Sequence, residues 1–146
     1  VTVVLLICST AAFAFVFVRW CGREVLLSVI LATLIVPFET IAIPMLLLAS
    51  KLPWIGLEGV TRGWLNSYRV QIIPFIVDGL TIFLFVQYFK DLPGKLIEAA
   101  RVEGGSWGQI YRRIVMPLSG PILATAAILK FLVIYNQYLW PLMVTQ

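Results

Sequence analysis

Residues 98–117 read EAARVEGGSWGQIYRRIVMP, a polar stretch held between two apolar runs of membrane-crossing length. Upstream, residues 70–89 read VQIIPFIVDGLTIFLFVQYF; downstream, residues 118–144 read LSGPILATAAILKFLVIYNQYLWPLMV. Two more apolar runs precede them, near residues 1–18 and 25–49. Each is close to the ~20 residues a helix needs to cross a bilayer. None shows the period-two alternation of a membrane β-barrel strand. The pattern predicts an all-α polytopic membrane protein of about four transmembrane helices, with residues 90–117 forming a helix-turn-helix loop on the cytoplasmic side.

Composition agrees. Hydrophobic residues make up 61% of the 146, charged residues 12%, and the mean hydropathy is +0.99. A soluble domain carries about 25% charge. The net charge of +4 sits in short loops, which fits a membrane protein better than a nucleic-acid binder. Cys8 and Cys21 are roughly 20 Å apart along a helix, too far for a disulfide, and read as packing residues. The chain has no His, no metal-ligand cluster and no nucleophile motif, so neither a catalytic residue nor a metal site is expected. Val1 is already apolar and does not open a signal peptide, so a fragment of a longer protein is expected.

Loop charge predicts orientation. Loops one and three carry seven basic residues (Arg19, Arg23, Lys90, Lys95, Arg101, Arg112, Arg113), against Lys51, Arg62 and Arg69 in loop two. The imbalance puts loops one and three in the cytoplasm. Loop two is then extracytoplasmic and partly ordered, with Trp54 and Trp64 as interfacial anchors or contacts to a partner subunit.

Loop three carries helix punctuation. Pro93 suits a first helical turn. Gly104-Gly105 supplies a stop, because Gly accepts the left-handed conformation at a helix end. Ser106 followed by Gln109 is a capping box for a second short helix, which Pro117 ends or bends. Ala99 and Ala100 allow close approach, while Glu98 and Glu103 offer charge to a basic partner. An amphipathic loop lying on lipid headgroups would also suit Trp107, Arg112 and Arg113.

Three ionisable residues, Glu39, Asp78 and Lys130, fall inside apolar runs, where each costs about 2.5 to 3.5 kcal/mol. A rise of ~1.5 Å per residue puts all three at a similar depth, so Lys130 can pair with Asp78 or with Glu39. The cluster either lines a pathway or locks helix packing. Tyr135, Asn136, Gln137 and Tyr138 offer amides, hydroxyls and aromatic faces suited to a sugar; interhelical hydrogen bonds explain the amides equally well.

The loop resembles the EAA coupling loop of permease subunits in bacterial ATP-binding-cassette importers of the carbohydrate type. The matching positions are Glu98, Ala99, Ala100, Gly104, Ile114 and Pro117. Met116 stands where Leu is usual, and Glu103 and Gly105 where Asp and Ala are common. The run 135–138 resembles the family's aromatic-Asn-Glu-aromatic signature, with Gln137 and Tyr135 departing from it. The resemblance covers nearly the whole chain, residues 1–146, as a partial transmembrane domain. It implies a multi-pass subunit of the bacterial inner membrane that moves a sugar or related solute by alternating access. It also implies partners: an ATPase dimer, a second homologous permease and an extracytoplasmic solute-binding protein. ATP would be bound by the ATPase subunit; this chain has no Gly-Lys-Ser/Thr phosphate loop and needs no cofactor of its own. The same architecture serves amino acids or glycerol phosphate, and a channel subunit or membrane scaffold is the alternative of a different kind.

Overall fold

A computed structural model describes residues 1–56, 59–65 and 67–145, with backbone alone for residues 54–56 and 59–62. The chain order is α1 (Thr2–Phe17), α2 (Arg23–Thr33), α3 (Phe38–Lys51), a hairpin of β1 (Pro53–Gly56) and β2 (Gly59–Arg62), and α4 (Tyr68–Ile72) running into a 3₁₀ turn (Ile73–Phe75). Then come α5 (Gly79–Asp91), α6 (Gly94–Val102), α7 (Trp107–Ile110), a π-helical turn (Tyr111–Val115), α8 (Met116–Leu118), α9 (Gly120–Tyr135) and α10 (Leu139–Val144).

The fold is helical as expected, but the four apolar runs are not four uninterrupted helices. Tyr68–Asp91 is long and apolar enough to cross a membrane, although residues 76–78 interrupt its helical backbone. Two more spans arise only when each bent pair is taken as one: Arg23–Thr33 with Phe38–Lys51, bent by 100°, and Trp107–Leu118 with Gly120–Tyr135, bent by 76°. α1 is a shorter apolar helix of 16 residues. Proline explains the first break. Pro37 is the N-cap of α3 and disfavours helical backbone at the residue before it, so α2 ends before residues 34–37.

The antiparallel hairpin, with Trp54 opposite Thr61, departs from an all-α reading of loop two. The stretches PWIG and GVTR carry residues that favour strands. The anchoring role expected of the Trp54 side chain lies outside the described residues. Trp64 is half-buried and packs against a hydrophobic core. Cys8 is buried and packs as expected; Cys21 is exposed and does not.

Two hydrophobic cores form. In the first, Val4, Cys8 and Ala12 recur every fourth residue along α1 and meet Ile82, Phe85, Val86 and Phe89 of α5. Ile97, Ile110, Val115 and Ala126 join them from α6, α7, the π turn and α9. The second core is Ala49, Val70, Trp140 and Val144, from α3, α4 and α10. Trp140 meets Phe38 and Phe75 edge-on, with ring centroids 5.9 and 6.0 Å away, and its Nε1–H donates to Val70 O at 3.0 Å. Each passage of the chain between the cores runs through a helix break: residues 34–37, 76–78 and 136–138. Gly79 marks how close these breaks lie. A Cβ there would meet Leu34 Cδ2 at 3.2 Å and Ile30 O at 3.4 Å, so a larger residue would push the end of α2 away from α5.

Candidate functional site

Two regions gather the candidate residues. The first is the α6–turn–α7 unit. Pro93 is the N-cap of α6, which ends at Glu103 as C-cap. Gly104 follows at φ +85°, a conformation costly for residues with a Cβ. Its N–H donates to Arg101 O at 3.1 Å, and that of Gly105 donates to Ala100 O at 2.9 Å. This pair of bonds is a Schellman closure, which satisfies carbonyls left open at the helix end. Gly105 is therefore part of the lock and does not loosen it: a Cβ at that position would sit 2.7 Å from Ala100 O.

The expected capping box forms. Ser106 Oγ accepts from Gln109 N–H at 3.3 Å, and Gln109 Oε1 accepts from Ser106 N–H at 3.0 Å. Arg101 closes the joint from the side. It donates to Gly105 O at 3.1 Å, and its guanidinium lies 4.4 Å from the Trp107 ring centroid.

Pro117 does not end the second helix. Lacking an N–H, it cannot bond back along the ladder. The preceding turn slips to π spacing, with Met116 N–H donating to Tyr111 O. Helix continues to Leu118, and the bend falls at Ser119, before Pro121 in the first turn of α9.

The unit has two faces. Ile97 and Ile110 are buried in the first core, with Ala100, Trp107, Tyr111 and Ile114 packed against it. Phe13 meets the Trp107 and Tyr111 rings edge-on, and Ser9 Oγ lies 2.7 Å from Tyr111 Oη. Glu98, Ala99, Glu103, Gly104 and Pro117 are exposed. Arg19 and Arg23 of loop one line a 670 Å³ cavity together with Glu98 and Arg101. Loops one and three thus share one end of the molecule, as their alternation along the chain predicts. The anchoring by Ser9, Phe13 and Tyr111 has no local signal in sequence; only packing reveals it.

The second region is a cleft of about 660 Å³ between α3, the 76–78 break and α9. It brings together Glu39, Asp78, Lys130, Asn136 and Gln137. Of the two pairings the sequence allows, Lys130 takes Asp78, with Nζ 3.6 Å from Oδ1. The Lys130 side chain is 6% exposed and that of Asp78 27%. Asp78 is also the N-cap of α5: Oδ2 accepts from Thr81 N–H at 3.1 Å and from Thr81 Oγ1. The sequence signal for this cap is Asp78 itself, a favoured N-cap residue, standing just before the apolar run of α5. Asn136 donates from Nδ2 to Leu132 O at 2.9 Å, a bond within its own helix. Tyr135 and Tyr138 are not part of the cleft lining; they are 77% and 75% exposed, and Tyr135 stacks on Phe131.

Residues 4–146 match the family described as binding-protein-dependent transport system inner membrane component. The chain belongs to that family. Among similar members are the arabinooligosaccharides transport system permease protein AraQ of Halalkalibacterium halodurans (36% identical, covering 96% of this chain and 47% of the relative) and the sn-glycerol-3-phosphate transport system permease protein UgpE of Salmonella typhi (36%, 92% and 44%). The lactose transport system permease protein LacG of Rhizobium radiobacter is 35% identical over 97% of this chain and 48% of its own length. A crystal structure of a bacterial ABC transporter involved in the import of the acidic polysaccharide alginate superposes with a TM-score of 0.80 at 25% identity. It covers all of this chain and 48% of that one. The chain therefore spans about half the length of these family members.

Proposed function

We propose that the full protein is the permease subunit of an ATP-driven importer for a sugar or related solute, multi-pass in the bacterial inner membrane. It works with an ATPase dimer, a second homologous permease and an extracytoplasmic solute-binding protein. The observation that carries this reading is the two-faced α6–turn–α7 unit. Its apolar face is fixed to α1 and α5, while Glu98, Ala99 and Glu103 remain exposed for a partner. Membership of the binding-protein-dependent transport family supports this reading, in which a partner ATPase supplies the push. The turn is held by Gly104 and Gly105 and the second helix by Tyr111 and Ile114, so a force on α6 travels into α1 and α5 as a rigid displacement. The first core then rocks against the second about the three helix breaks. The cleft of Glu39, Asp78, Lys130, Asn136 and Gln137 lies beside all three breaks and forms this subunit's part of the solute path, opening to alternate sides as the cores move.

Reversing the charge at Glu98 tests the reading. In the reconstituted importer, Glu98→Lys is expected to insert and assemble normally and to leave ATP hydrolysis running, while coupled uptake falls about tenfold or more, the effect of losing a few hydrogen-bonded charge contacts. Normal uptake in that variant would remove Glu98 from the coupling surface. It would favour a loop that lies on lipid headgroups.

A further inference from the structure

Two helix starts border the cleft, and each has one of the chain's own carboxylates near it. α3 begins at Phe38 and has Glu39 in its first turn. α5 begins at Gly79 and is capped by Asp78. A helix N-terminus carries about half a unit of positive charge and favours anions. Broken helices in membrane transporters use such ends to receive anionic groups of the solute. Here Asp78 caps the start of α5, while Glu39 stands in the first turn of α3 without a capping bond. Lys130 is the one cation among the described residues of the lining, and Asp78 neutralises it at 3.6 Å. Glu39 makes no ion pair among the described residues.

We infer that Glu39 sets the charge selectivity of the path, admitting neutral hydroxylated solutes and repelling phosphate esters and uronates. The inference rests on reading the cleft as part of the path. A neutral polyol finds a hydrogen-bond acceptor in the Glu39 carboxylate, a second in Asn136 Oδ1 and an amide in Gln137. An anionic solute meets Glu39 with no spare cation to offset it. Removing the Glu39 charge takes away the one unpaired charge among the described lining residues and turns the cleft toward anions.

The test reads charge in the cleft directly, independent of the binding protein. The full-length permease, assembled in its importer in membrane vesicles, carries Gln137→Cys with Cys8→Ala and Cys21→Ser. The thiol is modified with methanethiosulfonates bearing a trimethylammonium, a sulfonate or a neutral group, each rate being normalised to that with free 2-mercaptoethanol. The ammonium reagent is expected to outpace the sulfonate by about tenfold, with the ratio falling to about one or reversing in Glu39→Gln. Glu39→Asp, which keeps the charge, retains the preference and separates charge from shape. A ratio untouched by Glu39→Gln overturns the inference and leaves the path intact. A thiol inert to all three reagents overturns the path itself and this inference with it.

Discussion

The two hydrophobic cores are built by different rules. The first is made of long helices whose apolar residues recur at helical spacing: Val4, Cys8 and Ala12 on α1, and Ile82, Val86 and Phe89 on α5. The second is assembled from short pieces far apart in the chain, with Trp140 bonded to the carbonyl of Val70 and wedged against Phe38 and Phe75. The coupling unit packs on the first core alone. Every connection to the second core is a break in helix, and the charged cleft sits beside the breaks at 34–37, 76–78 and 136–138. A protein with one continuous core would spread a push evenly. Under the proposed function, two cores joined by three breaks let one end move against the other.

The sharpest way to break this contrast is to empty the second core. Trp140→Ala is expected to destabilise it by about 4 kcal/mol. In amide hydrogen exchange the lost protection should be confined to α3, α4 and α10. An equal loss across α1 and α5 would make the two cores one cooperative unit.

Next in size is the Asp78–Lys130 pair, which ties α9 to the start of α5. Lys130→Met leaves Asp78 without its partner in a partly closed site, at a cost of about 3 kcal/mol in detergent-solubilised protein, and adding Asp78→Asn should recover most of it. Lack of recovery in the double variant would show that packing of the lysine stem, rather than charge pairing, joins α9 to α5.

The smallest effect belongs to the coupling unit. Gly104→Ala forces a Cβ into left-handed backbone, costing about 1 to 2 kcal/mol. The amides of Gly104 and Gly105, which close the turn, should exchange faster while α1 and α5 stay protected. Unchanged exchange at those two amides would mean the turn is held by Arg101 and Trp107 instead.

The coupling unit was the more legible region because its rules are local. A capping box needs only Ser106 and Gln109, three residues apart, and a helix stop needs only Gly104. The reading went wrong at Pro117, where the missing N–H was absorbed by a π turn one step upstream and the bend moved to Ser119. The cleft was half legible. Charges in apolar runs announced Glu39, Asp78 and Lys130, and Asn136 and Gln137 joined them, while Tyr135 and Tyr138 from the same four-residue run turned outward. The break at 136–138 separates neighbours in sequence, and no local pattern reports its direction.

Sequence alone determined the membrane class, the alternation of loops and the punctuation of the coupling unit, because hydropathy, caps and glycine conformation act within a few residues. Tertiary structure alone decided that Asp78 rather than Glu39 takes Lys130 and that Trp64 and Trp140 serve a second core. Those outcomes depend on contacts between residues some 50 to 70 positions apart, as between Asp78 and Lys130 or Val70 and Trp140, whose energies no local pattern encodes.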